Sequence, residues 1–172
     1  HYVKGDYSRA RKLYSKFLDQ RDPAPAPAQR DRATFYLAMS IYRSGDSSAK
    51  SLSAFRKITS EDGVHKHDAL YMAALVLAEQ GDEAGSVELF EQLVSSGSPT
   101  YAELARFGLG SAYFKTKNYA ASEKLLDQFV RDFPRSTRRD EASYLLSQVR
   151  LQSGKKDEAT AILRQLVDSP TV

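Results

Sequence analysis

Enzymatic chemistry needs a nucleophile, a base and a group that can hold developing charge. Residues able to supply them are few in this chain of 172. Cysteine is absent, which removes disulfides, thiolate metal sites and cysteine nucleophiles. The histidines are His1, His65 and His67. His65-Lys66-His67 puts two ligands at a loop-to-helix junction, too few for a structural zinc site, so both are expected as exposed turn residues. Ser47-x-x-Lys50 has the spacing at which a lysine can activate a serine. The companion motifs of that chemistry are missing, since Lys115-Thr116-Lys117 lacks the closing glycine. Ser153-Gly154-Lys155 ends like a phosphate loop, but it has no first glycine and no preceding strand. The carboxylate pairs Asp140-Glu141 and Asp157-Glu158 open helices, where they complement the helix dipole. No catalytic residue, metal site or cofactor is expected, and the chain is not expected to be an enzyme.

The elements that carry these residues repeat. The turns Gly5-Asp6, Gly45-Asp46, Gly81-Asp82, Lys117-Asn118 and Gly154-Lys155 follow one another at spacings of 40, 36, 36 and 37 residues. Such a period marks a repeat array. Seven positions before the turn stands a small residue: Ala38, Ala74, Gly110 or Ser147. After it comes a second small residue: Ala10, Ser51, Ser86, Ser122 or Ala159. Large apolar residues follow, first Tyr14, Phe55, Phe90, Leu126 and Leu163, then Phe17, Ile58, Leu93, Phe129 and Leu166. Small and large side chains alternating at helical spacing suit two tightly crossed helices, and Gly110 and Ser122 are expected at one crossing. Helices are predicted over 7–20, 30–44, 48–60, 67–80, 83–96, 101–116, 119–132, 138–153 and 156–168. Pro134 and Pro170 stop helices. Residues 23–28, Pro-Ala-Pro-Ala-Pro-Ala, read as an extended spacer.

The unit Leu109-Gly110-x-x-Tyr113, Ser122-x-x-x-Leu126, Pro134 resembles the tetratricopeptide repeat. The resemblance covers nearly the whole chain, although the family's early tryptophan is missing from every unit. It implies an all-α fold, a right-handed superhelical solenoid of antiparallel helix pairs with about four and a half repeats. They are expected at roughly 1–28, 29–64, 65–99, 100–136 and 137–172 of a single 1–172 solenoid. Phe129-Val130-Arg131-Asp132-Phe133-Pro134-Arg135-Ser136, then Asp140-Glu141-Ala142-Ser143-Tyr144-Leu145-Leu146, resembles a phrase of bacterial cell-envelope repeats, found in the Tol–Pal coordinator and the outer-membrane assembly lipoprotein. That likeness implies a bacterial cell envelope or periplasm, with a cytoplasmic site left open. Neither end carries a polar capping helix. The chain is therefore expected to be an excerpt of a longer one, or to make homo-oligomer or intrachain contacts through its ends.

The resemblance implies a scaffold that binds a protein or peptide in a groove lined by the first helix of each pair. Phe35, Tyr71, Phe107 and Tyr144 recur there at spacings of 36, 36 and 37. Seven residues on stand Tyr42, Ala78, Phe114 and Leu151, with Tyr2 as a fragmentary first member. Met39, Arg43 and Lys115 extend the expected groove. The alternative is that each ring is packing between repeats. Two other functions stand beside the scaffold: the helical arm of a larger envelope enzyme, and a reader of RNA. Charge argues against RNA. Residues 1–58 carry net +7, residues 59–104 net −8 and residues 105–172 net +4, whereas a nucleic-acid track needs one sign along its length. No apolar run approaches the roughly 20 residues that span a bilayer.

Overall fold

Glycine and asparagine turns, proline stops and apolar residues at helical spacing segment the chain into helices. In a computed structural model, which describes residues 6–45, 48–60 and 62–168, they form nine helices and no strand. These are α1 (Tyr7–Leu18), α2 (Pro27–Arg43), α3 (Ser48–Thr59), α4 (Lys66–Glu79), α5 (Glu83–Ser95), α6 (Ala102–Lys115), α7 (Tyr119–Asp132), α8 (Arg139–Gln152) and α9 (Lys156–Asp168). Tyr2, Gly5, Asp46, Ser47 and Pro170, named above for their sequence positions, lie outside the described residues.

The largest difference from the expected helix boundaries is at the start of α2. The Pro-Ala segment is not extended to its end, because α2 begins at Pro27. A proline fits the first helical position, where its missing N–H has no partner to lose. The Gln29 side chain accepts a hydrogen bond from the Ala26 N–H at 3.1 Å, which helps close the helix start.

Two compact units divide the chain, His1–Asp82 and Glu83–Val172. In the first, α1 to α4 pack each on the next; in the second, α5 to α9 do the same and α6 also reaches α8. The cut falls between α4 and α5, inside the expected 65–99 repeat.

Small residues set the crossings. Ala38, Ala74, Gly110 and Ser147 are all buried, as are Ala10, Ser51, Ser86, Ser122 and Ala159. In the second unit the Ser122 hydroxyl donates to the Gly110 carbonyl at 2.7 Å, where α6 and α7 meet. A methyl on Gly110 would stand 2.9 Å from Leu126 Cδ2. On the other side of α6, a methyl on Gly108 would run into the Phe90 ring of α5. The large residues fill the spaces between: Phe55, Ile58, Phe90, Leu93, Leu126 and Phe129 are almost wholly buried. Their counterparts Tyr14, Phe17, Leu163 and Leu166 are only half-buried.

Candidate functional site

In the first unit, α2 carries Phe35, Met39, Tyr42 and Arg43, and α4 carries Tyr71. The Phe35 ring is half-buried and stacks on His65, with ring centroids 4.6 Å apart and planes 7° apart. Phe55 of α3 lies 6.3 Å away on another side. Tyr42 meets Phe55 edge-on, and its hydroxyl donates to Glu79 Oε1 at 2.6 Å, tying α2 to α4. That hydrogen bond, then burial, then the Glu79 charge push the Tyr42 phenol up to about 12. Met39 and Tyr71 are half-buried and Arg43 is exposed.

In the second unit, α6 carries Phe107, Phe114 and Lys115, and α8 carries Tyr144. Phe107 is half-buried against Phe129, at 5.7 Å, with the Arg138 guanidinium 5.2 Å from its ring centre. Phe114 packs on Tyr119 at 6.0 Å. Lys115 Nζ lies 3.2 Å from Glu83 Oε1. Tyr144 is 54% exposed, and Leu151, two turns along the same face, is 37% exposed.

Phe35 and Phe107 share one environment. Each meets a residue of the following helix, and each is covered by the residue just before the helix after that, His65 or Arg138. Neither His65 nor His67 is the exposed turn residue expected: His67 is half-buried within α4, and His65 stands at the expected junction with its side chain only 20% exposed and bonded to Asp68 at 2.6 Å. The signal was available in the register, because His65 and Arg138 each stand six residues before a ladder aromatic, Tyr71 and Tyr144.

A second cluster, of charged residues, lies around Arg150. Arg150 stands four residues after Leu146, where Tyr113 stands four after Leu109. Its side chain, 18% exposed, reaches Glu123 at 3.2 Å, Asp127 at 3.3 Å and Glu158 at 3.4 Å. Lys155 Nζ joins at 2.8 Å from Glu123 Oε1. The Lys155 hydrogen bond, reinforced by Arg150, holds the Glu123 carboxyl below its ordinary range. The Lys155 ammonium of the Ser153-Gly154-Lys155 phrase is thus engaged with a carboxylate. The acid pairs do open helices, with Asp140 and Glu141 in the first turn of α8 and Asp157 and Glu158 in that of α9. Among the described residues no group of three or more histidines and carboxylates is arranged to hold a metal ion.

Comparison with known proteins finds a model for a tetratricopeptide repeat-like domain matching residues 47–170. Solved structures agree in fold. MamA from Desulfovibrio magneticus RS-1 superposes with a TM-score of 0.79 at 13% identity, over 96% of this chain and 86% of that one. A kinesin-light-chain-type protein of nearly identical TPR-like repeats from Podosopora anserina gives 0.72 at 17% identity, over 94% and 86%. A tetratricopeptide repeat protein from Parabacteroides merdae gives 0.70 at 18%, over 94% and 65%. No curated protein matches the sequence.

Proposed function

The chain belongs to the tetratricopeptide repeat-like family, and from that premise we propose that it is a non-catalytic scaffold holding a peptide or partner protein along the first-helix face of its repeats. One observation carries the reading: Tyr144 and Leu151 leave 54% and 37% of their surface in water, on a helix whose other face is buried through Ala142, Leu146 and Val149. An aromatic ring beside an aliphatic side chain is the kind of surface on which binding energy concentrates. Phe107 and Phe114 of α6, half-buried, continue the register. The charged residues Arg43 and Lys115 border the two first-helix faces. The envelope context rests on the phrase from Phe129 to Leu146, with its Pro134 and its Asp140-Glu141 helix start. Among the described residues no helix is long and apolar enough to cross a membrane.

The test begins with peptides selected from a random library on the immobilised chain. Their binding sites are then mapped by amide chemical-shift changes. Tyr144→Ala should weaken the selected peptides at least about tenfold, or about 1.4 kcal/mol, with melting almost unchanged because the ring is more than half exposed. Peptides that bind elsewhere, or that ignore Tyr144→Ala, would refute the surface assignment.

A further inference from the structure

Corresponding places in the two units carry opposite charge. In the second unit, Glu123 and Asp127 stand on the side of α7 that faces α8, where they meet Arg150 at 3.2 and 3.3 Å. Helix α6 packs elsewhere on α7, against Ser122 and Leu126. In the first unit the register puts Arg11 of α1 where Glu123 stands and Ser15 where Asp127 stands. It puts Leu37 and Ile41 of α2 where Leu146 and Arg150 stand. Both carboxylates are thus missing from α1, and the arginine they would hold is an isoleucine.

These four residues line a cleft of about 480 Å³ between α1 and α2. Leu37 and Ile41 form its apolar floor and are half-buried, whereas Ala73, Leu77, Leu109 and Leu146 are buried. Arg11, Lys12 and Lys16 of α1 form a basic wall, and Lys12 and Lys16 are exposed. Asp19, at the C-cap of α1, is the one acidic residue of the lining. No acidic residue occurs within α1, nor within α3, which also packs on α2 and carries Lys50, Arg56 and Lys57. Positive potential therefore gathers over an apolar floor. The cleft lies on the side of α2 away from the aromatic ladder. At about 100° per residue, Leu37 and Ile41 stand roughly 200° and 240° round the helix from Phe35.

We propose that this cleft binds a short extended segment of a partner protein, in which one leucine or isoleucine stands between two acidic residues. The acidic residues supply the carboxylates that α1 lacks. Lys12 and Lys16 are about one helical turn apart, roughly 6 Å along α1. Alternate residues of an extended chain are about 6.6 Å apart and point the same way, while the residue between them points oppositely. Two carboxylates of such a segment can therefore meet the two ammonium groups while the aliphatic side chain turns to Leu37 and Ile41. Charge complementarity selects this occupant, because the basic wall repels a basic segment and a purely polar one leaves the floor in water.

The probe is the end-capped peptide Gly-Ser-Glu-Leu-Glu-Ser-Gly, titrated into the isotope-labelled chain at low and physiological salt. Saturable amide shifts are expected in α1 and around Leu37 and Ile41, with binding that weakens as salt rises. Shifts from a peptide on the Tyr144 face would fall in α8, so the two readings fail separately. Glutamine in place of both glutamates, or glycine in place of the leucine, should each weaken binding about fivefold or more, as the loss of two exposed ion pairs or of a partly buried aliphatic contact would. Lys12→Glu with Lys16→Glu in the chain should weaken the parent peptide at least as much. Both side chains are exposed, so this variant should fold; Lys12→Gln with Lys16→Gln is the milder second variant, and thermal melting checks both. Absence of saturable shifts overturns the proposal, as do shifts confined to other helices or equal binding of the glutamine or glycine peptide. Sedimentation with phosphatidylglycerol vesicles that depends on Lys12 and Lys16, without peptide binding, would make the occupant a membrane surface. Salt-sensitive self-association that the same variant dissolves would make it a second copy. Either result overturns a partner segment.

Discussion

Lys117 has φ of 60°, in the place where Gly45, Gly81 and Gly154 have φ of 67°, 79° and 80°. At three of these turns the chain reverses by the same pair of hydrogen bonds. The Asn118 N–H bonds to the Tyr113 carbonyl at 2.8 Å and the Lys117 N–H to that of Phe114 at 3.0 Å, as Asp82 bonds to Leu77 and Gly81 to Ala78. Such a helix end needs a left-handed residue, and a side chain there costs roughly 1–2 kcal/mol. Lys117→Gly should therefore raise stability by about 1 kcal/mol in thermal melting. Gly81→Ala should lower it by about the same amount, although nothing within 4 Å would meet the new methyl. Gly110→Ala fails for another reason, since its methyl meets Leu126 at 2.9–3.0 Å in a buried crossing. Overpacking there should cost about 1–3 kcal/mol, and an unchanged melting temperature would show that α6 has room to move. The phenols offer a spectroscopic check. Tyr42 bonds to Glu79 and Tyr113 to Glu91, and each is pushed up to about 12 from 10.0. The raised folded value means that each bond's stabilisation is complete below the ordinary value and lost as pH climbs toward 12. Glu79→Gln should return the Tyr42 titration toward 10 in ultraviolet absorbance; no movement would show that burial alone sets it.

Among the elements, α7, α8 and α9 are joined by charge as well as by apolar packing. Arg150 and Lys155 converge on Glu123, whose side chain is 18% exposed, and Arg150 also reaches Asp127 and Glu158. Glu123→Gln should lower stability by about 1–2 kcal/mol at neutral pH, as for partly buried bonds between charged groups. The carboxyl is depressed in the fold, so its contribution stands above the unfolded value and is lost as pH falls through the folded one. The penalty measured by urea unfolding should thus be smaller in strong acid than at neutral pH; an equal penalty under both conditions would mean that the carboxylate charge is not its source. Periodicity could not have found this network, because Glu123 and Arg150 are 27 residues apart and occur as a pair in one place. The visible trace was an arginine at a position held elsewhere by Ile41, Leu77 and Tyr113. Helix limits were far more legible, since turn residues, prolines and small-large alternation all mark the same points. The α2 start escaped because alternating prolines read as extended chain until Gln29 and the tolerance of Pro27 for the first helical position are considered. Of the candidate surface, the register of the aromatics was legible. What covers each ring was not, because His65 over Phe35 and Arg138 over Phe107 depend on helix tilt, which a period does not specify.

For the molecule as a whole, the remaining choice is between proteins and nucleic acid as partners. Affinity for a nucleic-acid strand grows with the number of phosphates neutralised along a continuous path. The charge here changes sign twice in sequence, from net +7 over residues 1–58 to −8 over 59–104 and +4 over 105–172. A strand following the repeats would meet an acidic third between two basic ones. The first-helix positions point the same way. A base-reading repeat presents short polar side chains at its code positions, one base per repeat. This chain presents Phe35, Tyr71, Phe107 and Tyr144. Aromatic rings can stack on bases, at roughly 1–3 kcal/mol each. Stacking of that kind needs an open ring face, yet Phe35 lies under His65 and Phe107 under Arg138. Filter binding with single-stranded RNA should therefore show no sequence preference and no more than non-specific affinity, roughly 10⁻⁴–10⁻⁶ M at physiological salt. Peptides selected on the same chain should still depend on Tyr144. Tight, sequence-selective retention of RNA, falling steeply with salt, would displace the protein scaffold in favour of a reader of RNA.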